Sequence, residues 1–397
     1  MIRLDTETVL RQGTPSDFDS ASTLLEARGV PADAVDFERL VQDPETGWGH
    51  VGVVEHRGRV VATASWLDQT IELGDVTLPA GQIELVATEV GHEGRGHVRA
   101  LMHWCHQRMA ERAHLLQIMV GIPYFYRRFG YEYSIPMHPY AAVQALGGSD
   151  SDVVVRRATT DDIAIMERLQ RAAQSPHPVR VPRSAAQWRW VVDRDGSAQY
   201  LAIRAGVPVG TARWTEPEDG DVAIAEIVSD TPATTRALLD AAANQPGTAS
   251  ASVMLRPGVP GLHDACGAPE APGWYYVRLP SLASLWDRLR PVFDSRLANS
   301  EFAGLDQDLL ISWWRGHLRA PIASGRIGAA IAGGAFQAPV SQGGSGVPPD
   351  ALGRMIFSDG ALAVEARYPD CFLGSQRDLM HVLFPPVTSD VLSWYLP

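Results

Sequence analysis

A glycine-rich segment carries the residues best suited to binding a phosphate group. It reads Glu93-Gly94-Arg95-Gly96-His97-Val98-Arg99 and follows residues 83–88, an apolar run typical of a strand. A helix pattern comes next, with four residues on one side: Leu101, Met102, Cys105 and Met109. Glycines let the backbone approach a phosphate closely, and the first amides of a helix lack internal partners. We therefore predict that the backbone of residues 94–98 holds a pyrophosphate.

A second segment, rich in aromatic residues, follows the strand-like residues 115–120. It reads Gly121-Ile122-Pro123-Tyr124-Phe125-Tyr126-Arg127-Arg128-Phe129-Gly130-Tyr131. The glycine turn alone is weak evidence for a phosphate site, because glycine at a strand-to-helix turn often meets only a conformational need. The two segments together carry more information than either does alone.

Together these segments resemble the GNAT superfamily of acetyltransferases. The glycine segment resembles its acetyl-CoA pyrophosphate loop, and residues 126–131 resemble its tyrosine motif. The resemblance implies that the thioester carbonyl of acetyl-CoA lies along the strand from Leu85 to Thr88, which includes the predicted cofactor-binding residues Val86, Ala87 and Thr88. We expect the amide of Val86 or Thr88 to stabilise the oxyanion. The resemblance also implies that Tyr126 is the general acid, because a neutral phenol suits a thiolate leaving group.

One position of the loop departs from the superfamily pattern. Glu93 stands where the superfamily favours Arg or Gln, and a carboxylate beside phosphates is unfavourable unless it points away. Arg95 and Arg99 are candidates for the missing positive charge. With His97 and Val98, they complete the predicted cofactor-binding set.

Two parts of the chain repeat each other. A pattern of Arg, Thr and Asp before a helix occurs twice, at Arg11, Thr14, Asp17 and at Arg156, Thr159, Asp162. Residues 53–66 and 201–214 each follow as a predicted hairpin, so both copies begin strand, helix, hairpin. In the second copy, residues 225–236 lack the glycines and have a shorter turn. We therefore expect no coenzyme A site there.

The last part of the chain has mixed patterns. Residues 282–289 show helix periodicity, and residues 325–349 are rich in small side chains. Residues 354–357 and 362–365 are predicted strands, joined by the turn residues 358–360. This mixture predicts a third, α+β domain.

The resulting fold class is α/β (α+β), with tandem GNAT folds, each a mixed central sheet flanked by helices. The predicted domains are residues 1–148, an active GNAT domain; 149–280, a degenerate copy; and 281–397. This order resembles the enhanced intracellular survival proteins, whose third domain is similar to sterol carrier protein. The resembled family forms hexamers, so the resemblance implies a homo-oligomer.

Two carboxylates compete for the role of general base. By resemblance, the terminal carboxylate of Pro397 reaches the active site of the first domain. A carboxylate with a reference pKa of ~3.5 needs desolvation or a water relay to accept a proton from an ammonium group. Glu84, on the strand before the loop, occupies a position where other GNAT enzymes carry a base, but it also fits a solvated strand residue.

Composition excludes several classes of protein. The chain has 397 residues and a net charge of -12, which disfavours nucleic acid as a partner and favours cationic ligands. Neither a signal peptide nor a membrane-spanning run is evident, so we expect a cytoplasmic protein without a membrane partner. The three separated cysteines indicate no disulfide framework, and His103 and His106 lack further ligands for a metal.

The sequence therefore predicts an N-acetyltransferase that uses acetyl-CoA. A neutral primary amine of a small, cationic substrate attacks directly in a ternary complex; aminoglycosides, polyamines and lysine-like amines are candidates. Two alternatives remain open. One is a non-catalytic protein that binds a lipid or small molecule on a GNAT scaffold, and the other is an acyltransferase that uses a longer acyl-CoA.

Overall fold

The computed structural model describes residues 1–29, 31–144 and 152–392. The first elements along the chain are β1 (Ile2–Arg3), β2 (Thr8–Gln12), α1 (Phe18–Arg28), α2 (Pro31–Gln42), β3 (Val51–His56), β4 (Arg59–Leu73), β5 (Val76–Thr88), α3 (His97–Glu111), β6 (Leu116–Met119) and β7 (Glu132–Pro136). Next come β8 (Tyr140–Ala142), β9 (Val153–Arg157), α4 (Ile163–Gln174), β10 (Val179–Arg180), α5 (Ala185–Asp193), β11 (Ser197–Arg204), β12 (Val207–Thr215), β13 (Asp221–Ser229), α6 (Pro232–Ala243) and β14 (Ser250–Met254). The last are β15 (Trp274–Arg278), α7 (Leu282–Ala298), β16 (Gln307–Ser312), β17 (His317–Ala323), β18 (Arg326–Ile327), β19 (Ile331–Gly333), β20 (Ser345–Gly346), α8 (Leu352–Phe357), α9 (Gly360–Arg367), α10 (Arg377–Leu383) and β21 (Ser389–Asp390).

The chain forms two compact units that are discontinuous in sequence. The first unit comprises Met1–Pro136 and Trp274–Ser389, and the second comprises Met137–Gly273 with residues 390–392 of the described chain. The predicted domains, 1–148, 149–280 and 281–397, are instead consecutive segments. That division into three domains stays a prediction.

The first unit is built on one long mixed sheet with the order β1-β2-β3-β4-β5-β6-β15-β7. Neighbours along this path are antiparallel except β5 and β6, which run parallel. A parallel pair needs a crossover connection, and α3 provides it. The strand Trp274–Arg278 comes from far along the chain and lies between β6 and β7, with Tyr276 opposite both Met119 and Tyr133.

The second unit contains a similar sheet with the order β8-β14-β13-β12-β11-β9. Here β13 and β14 run parallel, and α6 connects them. Both copies contain the predicted strand, helix and hairpin, and a second helix, α2 or α5, lies between the first helix and the hairpin.

The repeated Arg, Thr and Asp have a structural explanation in both copies. Arg11 donates two hydrogen bonds of 2.7 Å to the carboxylate of Asp17, and Arg156 donates bonds of 2.8 and 2.7 Å to Asp162. Each aspartate also accepts a hydrogen bond from the backbone amide of the preceding Thr14 or Thr159. These bidentate pairs fix the turn that leads from the first strand into the first helix of each copy.

A third, smaller sheet in the first unit has the order β18-β17-β16-β20, with β19 also paired to β17. The helix predicted from residues 282–289 is confirmed as the start of α7. The strands predicted at residues 354–357 and 362–365 are wrong, because these residues belong to the helices α8 and α9. All six residues of α8 are buried, so its apolar run lacks the periodicity that separates a helix from a strand.

Two further features are the cavity beneath α7 and the character of the helices as candidate membrane spans. The cavity beneath α7, lined by Trp286, Phe293 and Phe384 among others, has a volume of about 10 Å³. Among the described helices, none combines the length and the apolar character that crossing a bilayer requires.

His106 makes the stability of the first unit depend on pH. On α3, its Nε2 lies 2.9 Å from the hydroxyl of Tyr131, and burial lowers its pKa to about 3. The unfolded chain, with a histidine pKa of ~6.5, therefore binds this proton first as the pH falls. The contribution to stability is complete above pH ~6.5 and is lost progressively below it.

We predict that His106→Gln flattens the acid-side loss of stability. Between pH 6.5 and 5, the free energy of unfolding of the natural protein should fall by up to ~1.4 kcal/mol per pH unit more steeply than that of the variant. Urea unfolding at several pH values measures both slopes. His103→Gln, at an exposed position on the same helix, is the control; parallel curves for His106→Gln and the natural protein would contradict the assignment.

Candidate active site

The strand β5 contains a bulge where the predicted site begins. Its register with β4 shifts by one residue between the pairs Ser65–Glu84 and Thr63–Ala87. Within the bulge, Leu85 has a φ of +54° and a buried side chain. The left-handed region costs a non-glycine residue roughly 1–2 kcal/mol, and such strain is typical of functional sites.

Beyond the point where it pairs with β6, β5 has a neighbour on one side only. The parallel pairing covers residues 80–82 against residues 116–118, whereas the pairing with β4 continues to Thr88. Among the described strands, none occupies the second edge of residues 83–88. The backbone of Val86, Ala87 and Thr88 therefore faces open space between two diverging strands.

The glycine-rich loop joins the end of β5 to α3. Gly94 and Gly96 have φ values of +72° and +84°, and a Cβ atom at either position would meet no atom within 4 Å. The two glycines are therefore needed for backbone conformation and not for space. Because α3 begins at His97, the amides of its first turn have no partners within the helix and are available to an anion.

Two histidines beside this loop have buried ring nitrogens without a hydrogen-bond partner among the described residues. His97 is 4% exposed, and neither of its ring nitrogens forms a hydrogen bond with the described residues. His92 lies beside it, with ring centroids 6.0 Å apart. Burial lowers the pKa of both rings, so both are neutral at pH 7 and each keeps one N–H donor.

Tyr126 sits on the short 3-10 turn Phe125–Phe129 that follows β6. Its ring packs against the backbone of Gly121, where a Cβ atom would approach Cε2 of the ring to 2.5 Å. Burial, with a smaller effect from the charge of Glu84, raises the pKa of Tyr126 to about 12. The phenol is thus protonated at neutral pH and is able to donate a proton.

Glu84 is a buried residue and not a solvated one. Its side chain is 9% exposed, and it accepts a hydrogen bond from the amide of Gln82. Gln82 in turn accepts a hydrogen bond of 3.2 Å from Gln69. This polar chain holds the carboxylate in the core of the sheet, close enough to Tyr126 to affect its pKa.

The strand end, the loop and the tyrosine turn surround one cavity of about 550 Å³. Its lining includes nearly all of the predicted cofactor residues and the predicted acid: Val86, Ala87, Thr88, Glu93, Gly94, Gly96, His97, Val98, Arg99 and Tyr126. Arg95 and Glu84 are not part of this lining. Pro397 lies outside the described residues.

The cavity also has lining residues that the sequence analysis did not select. They are Arg28, His92, Ile122, Phe125, Arg128 and Phe129. Four of these lie within or beside the segment of residues 121–131, and His92 adjoins the loop. Arg28 ends α1, far away in sequence, and no local pattern indicates its position.

Comparison with known proteins identifies this region. Residues 11–134 match the family model of the acetyltransferase (GNAT) domain. The chain contains a GNAT acetyltransferase domain. This family uses acyl-CoA donors, generally acetyl-CoA. Among curated proteins, no sequence matches the chain.

Solved structures match almost the whole chain. A GCN5-related N-acetyltransferase from Kribbella flavida is 19% identical, with a TM-score of 0.67 and coverage of 98% of this chain and 100% of the other. A GCN5-related N-acetyltransferase from Anabaena variabilis is 13% identical, with a TM-score of 0.69 and coverage of 97% and 99%. Eis1 from Mycobacterium abscessus is 15% identical, with a TM-score of 0.60 and coverage of 97% and 99%. At these identities, the likeness shows the GNAT fold; the sterol carrier protein-like third domain stays a prediction.

The loop glycines generate a prediction about cofactor affinity. Gly96→Ala forces a side chain into the left-handed region, so the loop should lose the conformation that aims its amides. We expect the Kd for coenzyme A, measured by calorimetry, to rise about 5- to 30-fold, as 1–2 kcal/mol of strain predicts. Gly91→Ala is the matched control, because Gly91 lacks a positive φ and has open space around it. Equal affinities of the two variants would contradict this account of the loop.

Proposed function

We propose that the chain transfers an acetyl group from acetyl-CoA to a primary amine of a small, cationic substrate. The observation that carries this proposal is the single cavity shared by the open end of β5, the glycine loop and Tyr126. A ligand with a phosphate group and a reactive thioester needs these three features together. The unpartnered ring of His97 and the open space at Gly94 and Gly96 fit such a ligand.

Each part of the cavity has a role in the proposed mechanism. The donor supplies an acetyl group as a thioester, and the amine attacks its carbonyl carbon directly. Backbone amides of Val86 or Thr88 then donate hydrogen bonds to the oxygen on which negative charge develops. As the C–S bond breaks, Tyr126 donates its proton to the sulfur, because burial keeps its hydroxyl protonated.

Of the two candidate bases for the proton of the amine, Glu84 is the one that lies within the described residues. It is buried and its charge contributes to the raised pKa of Tyr126, although its side chain is not part of the cavity wall. Pro397, the other candidate, is proposed by family resemblance alone. The two candidates make different predictions for substitution.

Charge supports a cationic acceptor. The chain carries a net charge of -12, whereas the cavity wall includes Arg28, Arg99 and Arg128. These three arginines lie where phosphates would bind, in the same wall as the acidic Glu93, and the negative charge of the whole chain attracts cations from solution. Aminoglycosides, polyamines and lysine-like amines all fit this description.

The second copy is proposed to lack a coenzyme A site. At the end of β13, the carboxylate of Asp230 accepts hydrogen bonds from Arg204 and from the hydroxyl of Thr234, at 2.8 and 2.6 Å. Thr231 caps the amide of Thr234 on α6, so the first turn already has an acceptor. A fixed carboxylate beside the adjoining cavity of about 520 Å³ disfavours a phosphate. One coenzyme A per chain is therefore expected.

The described cavity beneath α7 gives no support to the alternative of a lipid-binding protein. At about 10 Å³ it has room for roughly one water molecule. A homo-oligomer such as a hexamer stays a prediction from family resemblance.

The first test is turnover with and without the tyrosine hydroxyl. Thiol release from acetyl-CoA, measured against a panel of aminoglycosides, polyamines and lysine peptides, should detect acetylation by the natural protein. Tyr126→Phe should lower kcat by ~10²- to 10⁴-fold, as expected for the loss of a general acid, with little change in the Kd of coenzyme A. Tyr124→Phe is the control, because that exposed side chain lies outside the cavity wall. An active Tyr126→Phe variant would remove Tyr126 from the mechanism.

A second comparison decides between the two bases. If Glu84 accepts the proton, Glu84→Gln should lower kcat by ~10²-fold or more, while deletion of Pro397 should leave most of the activity. The opposite result would assign the base to the terminal carboxylate. In the variant that stays active, the pH dependence of kcat/KM should keep the inflection seen in the natural protein. This comparison distinguishes the loss of a base from a distortion of the fold.

A further inference from the structure

The unusual Glu93 of the phosphate loop has a partner from another element. Its carboxylate forms an ion pair of 2.5 Å with Nη2 of Arg28, the last residue of α1. The two residues are 65 positions apart in sequence. The loop thus joins its carboxylate to a cation that α1 contributes.

Both partners belong to the wall of the 550 Å³ cavity. The side chain of Arg28 is 35% exposed and that of Glu93 is 51% exposed, so a ligand in the cavity can reach them. Arg28 uses only Nη2 for the ion pair, and within the described chain no other hydrogen bond engages its guanidinium. A guanidinium has five donors in a planar fork, so most of them stay available to a second anion.

The charges of the two residues indicate which of them can contact a phosphate. An unpaired carboxylate among the amides of a phosphate loop would repel the phosphates that the loop binds. Paired with Arg28, the carboxylate is neutralised, and the guanidinium is held beside the loop. The positive charge that the loop lacks at position 93 therefore arrives from α1.

We infer that Arg28 donates hydrogen bonds to the phosphate oxygens of coenzyme A, and that Glu93 is a positioning residue that holds Arg28 for this contact. The inference rests on the proposed function, since it names the cation of the same site. It adds Arg28 to Arg99, which also lines the cavity, as a source of the positive charge that the sequence analysis assigned to Arg95 and Arg99. Arg95 does not contribute to the cavity wall.

The test is a double-mutant cycle on the full chain, with the Kd of coenzyme A measured by calorimetry. Arg28→Ala/Glu93→Gln removes both charges and should bind about 10-fold or more weakly than the natural protein, as expected for a lost hydrogen bond to a charged group. Glu93→Gln should weaken binding a few-fold when Arg28 is present. In the Arg28→Ala background, the same substitution should tighten binding, because it removes an unpaired carboxylate.

Further variants distinguish the loss of a phosphate contact from an effect on folding. Arg28→Ala/Glu93→Arg moves the cation to the loop and should restore the Kd to within about 3-fold of the natural value. Arg28→Ala should also make the Kd less dependent on salt, because one charged contact with phosphate is lost. Arg108→Ala/Glu111→Gln is the matched control, since that exposed ion pair of 2.9 Å on α3 has a similar exposure, 40% and 62%.

The outcomes separate this inference from the proposed function. Coenzyme A binding by Arg28→Ala/Glu93→Gln at the natural affinity would overturn the role of Arg28. Tighter binding by Glu93→Gln in both backgrounds would overturn the positioning role of Glu93. If the natural protein itself binds no coenzyme A, the proposed function fails and the inference fails with it.

Discussion

The site of the first unit depends on the place where β5 loses its second neighbour. Pairing with β6 ends at Gln82, whereas pairing with β4 continues to Thr88. The bulge at Leu85 lies between these two points, and its strain is sustained by the β4 pairing on one side. A strand held along one edge and open along the other presents backbone amides to a ligand, which a fully paired strand cannot do.

Once β5 and β6 diverge, the rest of the site follows from the connections. The crossover helix α3 must begin where β5 ends, so its amino terminus opens onto the gap. The turn after β6 closes the opposite wall with Tyr126. That turn is supported by β15, because the hydroxyl of Tyr276 accepts a hydrogen bond of 2.7 Å from the amide of Tyr124 and its ring stacks on Tyr133.

Local sequence patterns predicted the parts of this arrangement that are local in the chain. Hairpins, the strand before the loop, the glycine turn and the crossover helix all have spacing that points to one structure. No sequence pattern indicated that Arg28 is the partner of Glu93, because Arg28 contacts the loop only after α1 packs in the folded unit. The same holds for Trp274–Arg278, whose place between β6 and β7 depends on long-range pairing. The strand prediction for the residues of α8 failed for a different reason. A segment that is buried on every side lacks the periodic change between apolar and polar residues that identifies a helix.

The two copies show which interactions the fold needs and which only the site needs. Both keep the bidentate Arg–Asp pair that joins the first strand to the first helix, and both keep a buried tryptophan on the second strand of the hairpin, Trp66 and Trp214. At the strand-to-helix turn they differ: one copy has glycines and open amides, and the other has Asp230, bound by Arg204 and Thr234. In the second arrangement the hydroxyl of Thr231 accepts a hydrogen bond from the amide of Thr234, which stabilises the turn and occupies one of the donors that an anion would need. At such a turn, an amide that a side chain caps stabilises the helix end, whereas an amide without a partner inside the helix is available to a phosphate.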